Sequence, residues 1–226
     1  MYITPEKLAR TIDHTLLKPE ATRAHITQLC ALARQYNFKT VCINPFFVKQ
    51  AARELSGTNT GVCTVVGFPL GATTTKIKTA EAVQALLQGA SEIDFVINIG
   101  ALKGGDDKTV EADMFNIVRA VKEKSPQALT KAIIETCLLT RDEKIKACKI
   151  ALKAGVDFVK TSTGFSVGGA KVEDIKLLKE ITGSSAAVKA SGGIKDLDTA
   201  VRMLEAGADR LGTSSGVEIM REVIKS

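Results

Sequence analysis

Hydrophobic positions along the chain follow two rhythms. Short apolar and β-branched runs recur at TIDHTLL (11–17), TVCI (40–43), VCTVVGF (62–68), EIDFVINI (92–99), KAIIET (131–136), DFVKTS (157–162), AVKAS (187–191) and RLGTS (210–214). Between them lie longer stretches such as 22–36, 79–89, 142–155 and 196–207, whose apolar residues return every three or four positions. That spacing is the mark of a helix with one buried face. Eight strands alternating with helices predict an α/β fold of the (β/α)8 TIM-barrel type, a single domain over 1–226 with a short N-terminal helix. An open doubly wound sheet is the competing arrangement. No GxGxxG follows the first strand, which counts against its dinucleotide-binding form.

The rhythm contains an echo. QGASEID (88–94), KAGVDFVK (153–160) and EAGADRLG (205–212) each carry a glycine suited to the position just past a helix, leading directly into a strand. Five residues beyond each glycine stand Asp94, Lys160 and Gly212, on strands four, six and eight. Alternate strands of a closed barrel fill one interior layer, so a carboxylate and an ammonium are expected to share that layer. A common helix-to-strand loop geometry explains the glycines but leaves the polar residues unexplained.

Two lysines, Lys160 and Lys189, follow apolar runs and precede hydroxyl and glycine residues. An isolated buried charge costs several kcal/mol, so three readings stand open. The amines turn outward. They pair with Asp94, Asp13 or Glu135 as a structural network. Or one is a nucleophile, its pKa lowered by burial and by the other's charge, able to form a Schiff base with a carbonyl. The clusters TSTG (161–164), SGG (191–193) and GTSSG (212–216) follow strands six to eight and contribute Thr163, Gly164, Gly192, Gly193, Ser214 and Ser215. Backbone N–H groups in such turns bind anions, and barrels of this kind commonly hold phosphate there. A phosphorylated aldehyde or ketone is the substrate class this suggests.

Composition removes other classes. The net charge is +6, but no long basic run occurs and aromatic residues make up only 4% of the chain, so no nucleic-acid platform is expected. No apolar run reaches the ~18 residues of a membrane span, and MYITPEKLAR has no signal-peptide core. The five cysteines, Cys30, Cys42, Cys63, Cys137 and Cys148, form no CxxC pair and read as buried free thiols in a reducing, cytoplasmic compartment. A metal site would have to start from Asp13 and His14, since the other histidine, His25, falls in a surface helix and no HxH spacing exists.

The motifs IDHTLLKP (12–19), VCINP (41–45), GFPLG (67–71), EIDFVINIG (92–100), IIET (133–136), VKTSTGF (159–165) and KASGGI (189–194) together resemble the deoxyribose-phosphate aldolases over essentially the whole chain. The resemblance implies a class I aldolase that uses no metal or cofactor and reversibly cleaves 2-deoxy-D-ribose 5-phosphate to acetaldehyde and D-glyceraldehyde 3-phosphate. It implies that Lys160 forms the Schiff base, that Lys189 tunes it, and that Asp94 moves protons with a water. Asp13 would contact substrate hydroxyls, while Gly164, Gly192, Gly193, Ser214 and Ser215 would cradle the phosphate. Some relatives carry lysine where this chain has Phe165, so the cradle is expected to rest mainly on backbone amides. The resemblance also suggests a homodimer. Rival readings are a transaldolase-like enzyme, separated by acetaldehyde as product, and a non-catalytic sugar-phosphate sensor, which would have no use for the two lysines.

Overall fold

The structure, a computed structural model, describes residues 3–225; Met1, Tyr2 and Ser226 of the expected 1–226 domain lie outside the described residues. A short helix α1 (Pro5–Ala9) precedes eight strands: β1 (Ile12–Leu16), β2 (Thr40–Ile43), β3 (Gly61–Val66), β4 (Glu92–Val96), β5 (Leu129–Ile133), β6 (Phe158–Lys160), β7 (Ala187–Ser191) and β8 (Arg210–Thr213). They pair in parallel and in sequence order, and β8 returns to β1 to close the barrel. The (β/α)8 expectation holds, and the open-sheet alternative is excluded by the β1–β8 ladder, in which Asp13 stands beside Gly212.

Around the barrel run α2 (Arg23–Tyr36), α3 (Val48–Glu54), α4 (Thr75–Leu87), α5 (Ile99–Lys103), α6 (Asp107–Lys124), α7 (Arg141–Ala154), α8 (Val172–Thr182), α9 (Leu197–Glu205) and α10 (Gly216–Lys225). Local chemistry starts and stops them. Thr22 with His25, and Thr140 with Glu143, form reciprocal capping boxes on α2 and α7, each satisfying amides that the first turn leaves without partners. Gly89, Gly155 and Gly207 all adopt positive φ where the chain turns from helix into strand, as the echo predicts.

Because side chains alternate along a strand, one set faces the helices and the other the barrel axis. Most of the outward set is apolar and fully buried: Ile12, Val41, Ile93, Phe95, Ala132, Val159, Val188 and Leu211 join one core with the inner faces of the helices. Strand six is shorter than expected. Its residues 161 and 162 leave the regular ladder, although Thr161 still donates to Lys189 and accepts from Thr136.

Alternation also separates Asp13 from His14. Asp13 faces the axis, whereas His14 lies outside the barrel against Phe38, with ring centroids 5.0 Å apart. The two cannot chelate one metal ion. Burial lowers the His14 pKa to about 4, with Glu218 opposing the effect. His14 is therefore neutral in the folded chain and takes a proton more readily once unfolded. Its share of stability is present above about pH 6.5 and is lost as pH falls toward 4. A shift of that size corresponds to about 3 kcal/mol. His14→Gln is expected to flatten the fall in urea midpoint between pH 6.5 and 4; an unchanged slope would show that other groups carry it.

Candidate active site

The inward side chains stack in layers, as closed barrels require. Register and contacts group Thr40, Glu92, Phe158 and Arg210 lowest, then Asp13, Cys63, Lys131 and Lys189, then Cys42, Asp94, Lys160 and Gly212. Seven of these twelve side chains are charged, four cationic and three anionic.

Asp94 is the centre. Its Oδ2 accepts from Lys160 Nζ and Lys189 Nζ, each at 2.8 Å, and its Oδ1 accepts from Lys131 Nζ at 2.7 Å and from the Cys63 thiol at 3.1 Å. Lys189 Nζ also stands 2.5 Å from Asp13 Oδ2 as an ion pair, although it lacks the alignment of a hydrogen bond. Asp13 Oδ1 accepts from Thr40 at 2.7 Å and from Arg210 at 2.5 Å. Below, Glu92 joins Arg210 at 3.2 Å and Lys131 at 2.5 Å.

Burial by itself would push the Asp94 carboxyl up, but the ammonium groups of Lys131, Lys160 and Lys189 outweigh it and hold the group well below the usual range. Asp13 is likewise held down, against burial, by Lys189 and Arg210. The Lys189 ammonium is pushed up, since Asp13 and Asp94 overcome its burial. Lys189 is therefore a fixed cation. Both lysines are networked with Asp94, Lys189 also with Asp13, and Lys160 reaches open space as well.

That space is a cavity of about 360 Å³ at the carboxyl ends of β1, β6, β7 and β8. Lys160, Thr163, Gly164, Gly192, Gly193 and Ser214 line it, as expected from the sequence. Lys160 is the one member of the charged network that does so. Asp94 and Lys189 are fully buried beneath it. Two more of the expected site residues do not line the cavity. Asp13 lies one layer below the cavity, where its carboxylate serves Lys189 and Arg210 rather than reaching the open space. The Ser215 amide donates to Thr213 Oγ1 at 2.9 Å, and Ser215 does not line the cavity. Lys18 and Lys195 also line the cavity.

The turns are tied together. Ser191 Oγ donates to the Ser162 carbonyl at 2.6 Å, and the Ala170 amide to that of Gly192 at 3.0 Å. Thr163 donates from its hydroxyl to Glu135, a residue itself held at positive φ. At Gly192, φ is +84° and an added Cβ would stand 3.0 Å from Gly169 Cα, so the close approach of the two turns requires glycine.

Two triads of potential metal ligands exist among the described residues: Cys42, Cys63 and Asp94, and Asp13, Cys63 and Glu92. In each, ammonium or guanidinium groups already occupy the carboxylates.

Fold and site together define a (β/α)8-barrel enzyme whose one accessible network amine is held by a buried carboxylate beside a glycine-rich mouth. The chain belongs to the DeoC/LacD family of aldolases, whose profile matches residues 7–225. It is 55% identical over 222 residues to a deoxyribose-phosphate aldolase of Carboxydothermus hydrogenoformans, covering 98% of this chain and 97% of that one. Among solved structures it is similar to an aldolase called QR15, with 41% identity, 96% of each chain covered and a TM-score of 0.91. It is also similar to the deoxyribose phosphate aldolase of Aeropyrum pernix, described as a unique tetramer, with 33% identity, 99% and 93% covered and a TM-score of 0.91.

Gly212 leaves room for Lys189: an added Cβ would stand 3.0 Å from both Lys189 Cε and Ser191 Cβ. Gly212→Ala is expected to displace the amine and lower turnover by on the order of tenfold to a hundredfold, with little change in Tm. A variant of unchanged turnover would show that the Lys189 position is not critical.

Proposed function

We propose that this chain is a deoxyribose-phosphate aldolase that reversibly cleaves 2-deoxy-D-ribose 5-phosphate to acetaldehyde and D-glyceraldehyde 3-phosphate through a Schiff base on Lys160. One observation carries the reading. Of the seven charged groups inside the barrel, Lys160 alone faces the cavity, while its Nζ lies 2.8 Å from a carboxylate shared with a second lysine. The names of the relatives above support it.

In cleavage, the neutral amine of Lys160 adds to C1 of the open-chain sugar and water leaves, giving a protonated iminium. The C3 hydroxyl loses its proton, the C2–C3 bond breaks, and its electron pair moves toward the iminium nitrogen. Glyceraldehyde 3-phosphate departs and an enamine remains. Protonation at C2 and addition of water then release acetaldehyde and restore the amine.

Asp94 stabilises the iminium cation and orients both amines. In the resting site burial is outweighed by the ammonium groups of Lys131, Lys160 and Lys189, which hold its carboxyl below the usual carboxylate range. In this reading Asp94 works with a water to carry the proton to and from C2, as the resemblance implies, and Lys189 remains the cation beside them. The phosphate lies at the glycine turns with Gly164, Gly192, Gly193 and Ser214, joined by Lys18 and Lys195. Ammonium–phosphate contacts are charge-assisted and stronger than neutral ones.

The same reading carries a cytoplasmic homodimer. Five free thiols support a reducing compartment, and no helix among the described residues is long and apolar enough to cross a membrane. Sedimentation is expected to give twice the chain mass.

Borohydride reduction with acetaldehyde, followed by peptide mapping, is expected to leave an ethyl group on Lys160. Modification of Lys189 alone, or of neither lysine, would overturn the assignment. Activity is expected to survive exhaustive chelation.

Lys189→Met removes the cation between Asp13 and Asp94. Breaking a buried pair in this way costs roughly 3–5 kcal/mol of stability. Turnover at pH 7 is expected to fall steeply and to return in part as pH rises, since only the unprotonated amine adds to a carbonyl. An unchanged pH profile would contradict this role.

A further inference from the structure

Six carboxylates are buried among the described residues: Asp13, Glu92, Asp94, Asp113, Glu135 and Asp174. Five of them pair with a lysine or an arginine. Glu135 has no ion pair among the described residues and is held by neutral donors instead. Its Oε2 accepts from the Thr163 hydroxyl, and its Oε1 from the Thr163 amide at 3.3 Å and the Cys137 thiol at 3.7 Å. Its backbone is unusual as well. Glu135 and Asn37 are the two non-glycine residues with positive φ among those described. Asn37 closes a helix, where asparagine commonly turns left-handed. Glu135 follows β5 at φ +45°, a conformation that persists only where the surroundings hold it.

What Glu135 holds is one of two matching turns at the cavity. Thr163 Oγ1 accepts from the Phe165 amide at 3.0 Å, and Thr213 Oγ1 from the Ser215 amide at 2.9 Å. Each hydroxyl gives its own proton to a fixed acceptor, Glu135 for Thr163 and the Ile194 carbonyl, at 2.6 Å, for Thr213. The middle residues, Gly164 and Ser214, line the cavity, and neither amide has a hydrogen-bond partner among the described residues. The two turns differ in their acceptor. A neutral carbonyl suffices after β8, whereas the turn after β6 carries in its middle a glycine at φ +84°, the residue type least able to hold a shape by itself. A carboxylate fixes that turn at two points, the amide and the hydroxyl of Thr163, one on each oxygen. Hydrogen bonds to a charged acceptor are also roughly twice as strong as neutral ones.

We propose that Glu135 is a positioning residue for the anion end of the substrate. By clamping Thr163 it keeps the Gly164 amide turned to the cavity, and so it sets the preference for a phosphorylated over an unphosphorylated sugar. The proposal rests on the aldolase reading and adds to it a residue that does not itself line the cavity. Charge by itself acts the other way. A buried carboxylate behind an anion site repels the anion, so a neutral side chain there would favour phosphate if holding the turn did not matter. The sign of the change on neutralising Glu135 therefore decides between the two effects.

The test measures kcat/KM for 2-deoxyribose 5-phosphate and for unphosphorylated 2-deoxyribose in the parent chain, Glu135→Gln, Thr163→Ser and Thr163→Val, with inorganic phosphate as a competitive inhibitor. Glutamine keeps the shape but offers one acceptor oxygen to two donors. In Glu135→Gln the ratio of phosphorylated to unphosphorylated kcat/KM is expected to fall on the order of tenfold, as for one lost hydrogen bond to a charged group. The fall is expected chiefly in KM, with a matching rise in the inhibition constant of phosphate. Thr163→Ser keeps the hydroxyl and is expected to hold the parent ratio, while Thr163→Val loses it. These two variants carry the test if Glu135→Gln does not fold. A ratio that rises in Glu135→Gln would show that the carboxylate acts only by repulsion, and equal loss for both sugars that it only supports the fold. Either result overturns the proposal, as does an unmoved ratio in Glu135→Gln or Thr163→Val. A parent chain that cleaves neither sugar defeats the aldolase reading and the role of Glu135 with it. A parent that cleaves the phosphorylated sugar, with variants that keep its ratio, defeats that role alone.

Discussion

One carboxylate, Asp94, holds three ammonium groups within 2.8 Å. Each of those lysines would be prohibitive inside a barrel by itself, because desolvating a lone charge costs several kcal/mol even after relaxation. Asp94 makes them tolerable only collectively. Lys131 continues to Glu92, Lys189 to Asp13, and both lines end at Arg210. The interior is thus one connected ionic body in place of the packed aliphatic layers usual in this fold. Removing any member leaves an opposite charge buried without its partner.

The arrangement divides labour by depth. The lower layers are closed, with Arg210 and Lys131 also lying over the Phe158 ring at 5.3 and 5.8 Å. They fix the position of Asp94. The upper layer carries the one network amine that opens to the cavity, and the glycine turns above it line that cavity. Rigid strands hold the reactive group while loops hold what it acts on, a division that lets one backbone serve many chemistries.

Strand order, barrel closure and the pairing of Asp94 with Lys160 were legible because each rests on period and spacing. A glycine five residues upstream set both side chains at the same height. The lower charges were not legible. Arg210 and Glu92 open their strands, and Lys131 opens the run 131–136 read from the sequence although it lies at the centre of β5, so each stood where a charge ordinarily marks the solvent end. A signal existed: Glu92 and Asp94, like Arg210 and Gly212, lie two apart and so share one face. The depth of Asp13 was not legible either, because local sequence carries none; its burial follows from the β1–β8 register. Lys18 and Lys195 are exposed residues in loops, whose approach to one cavity depends on how distant turns converge.

Closure of the ring has a consequence for how the protein is made. Asp13 lies on the first strand, whereas its cationic partners, Lys189 and Arg210, lie on the last two. A ribosome that has delivered six strands has delivered a buried-type carboxylate with neither partner, and a first strand that still lacks its neighbour β8. Completion of the sheet and neutralisation of that carboxylate are therefore a single late event in biosynthesis. A chain truncated before residue 210 loses the strand that closes the barrel together with the guanidinium that pairs with Asp13.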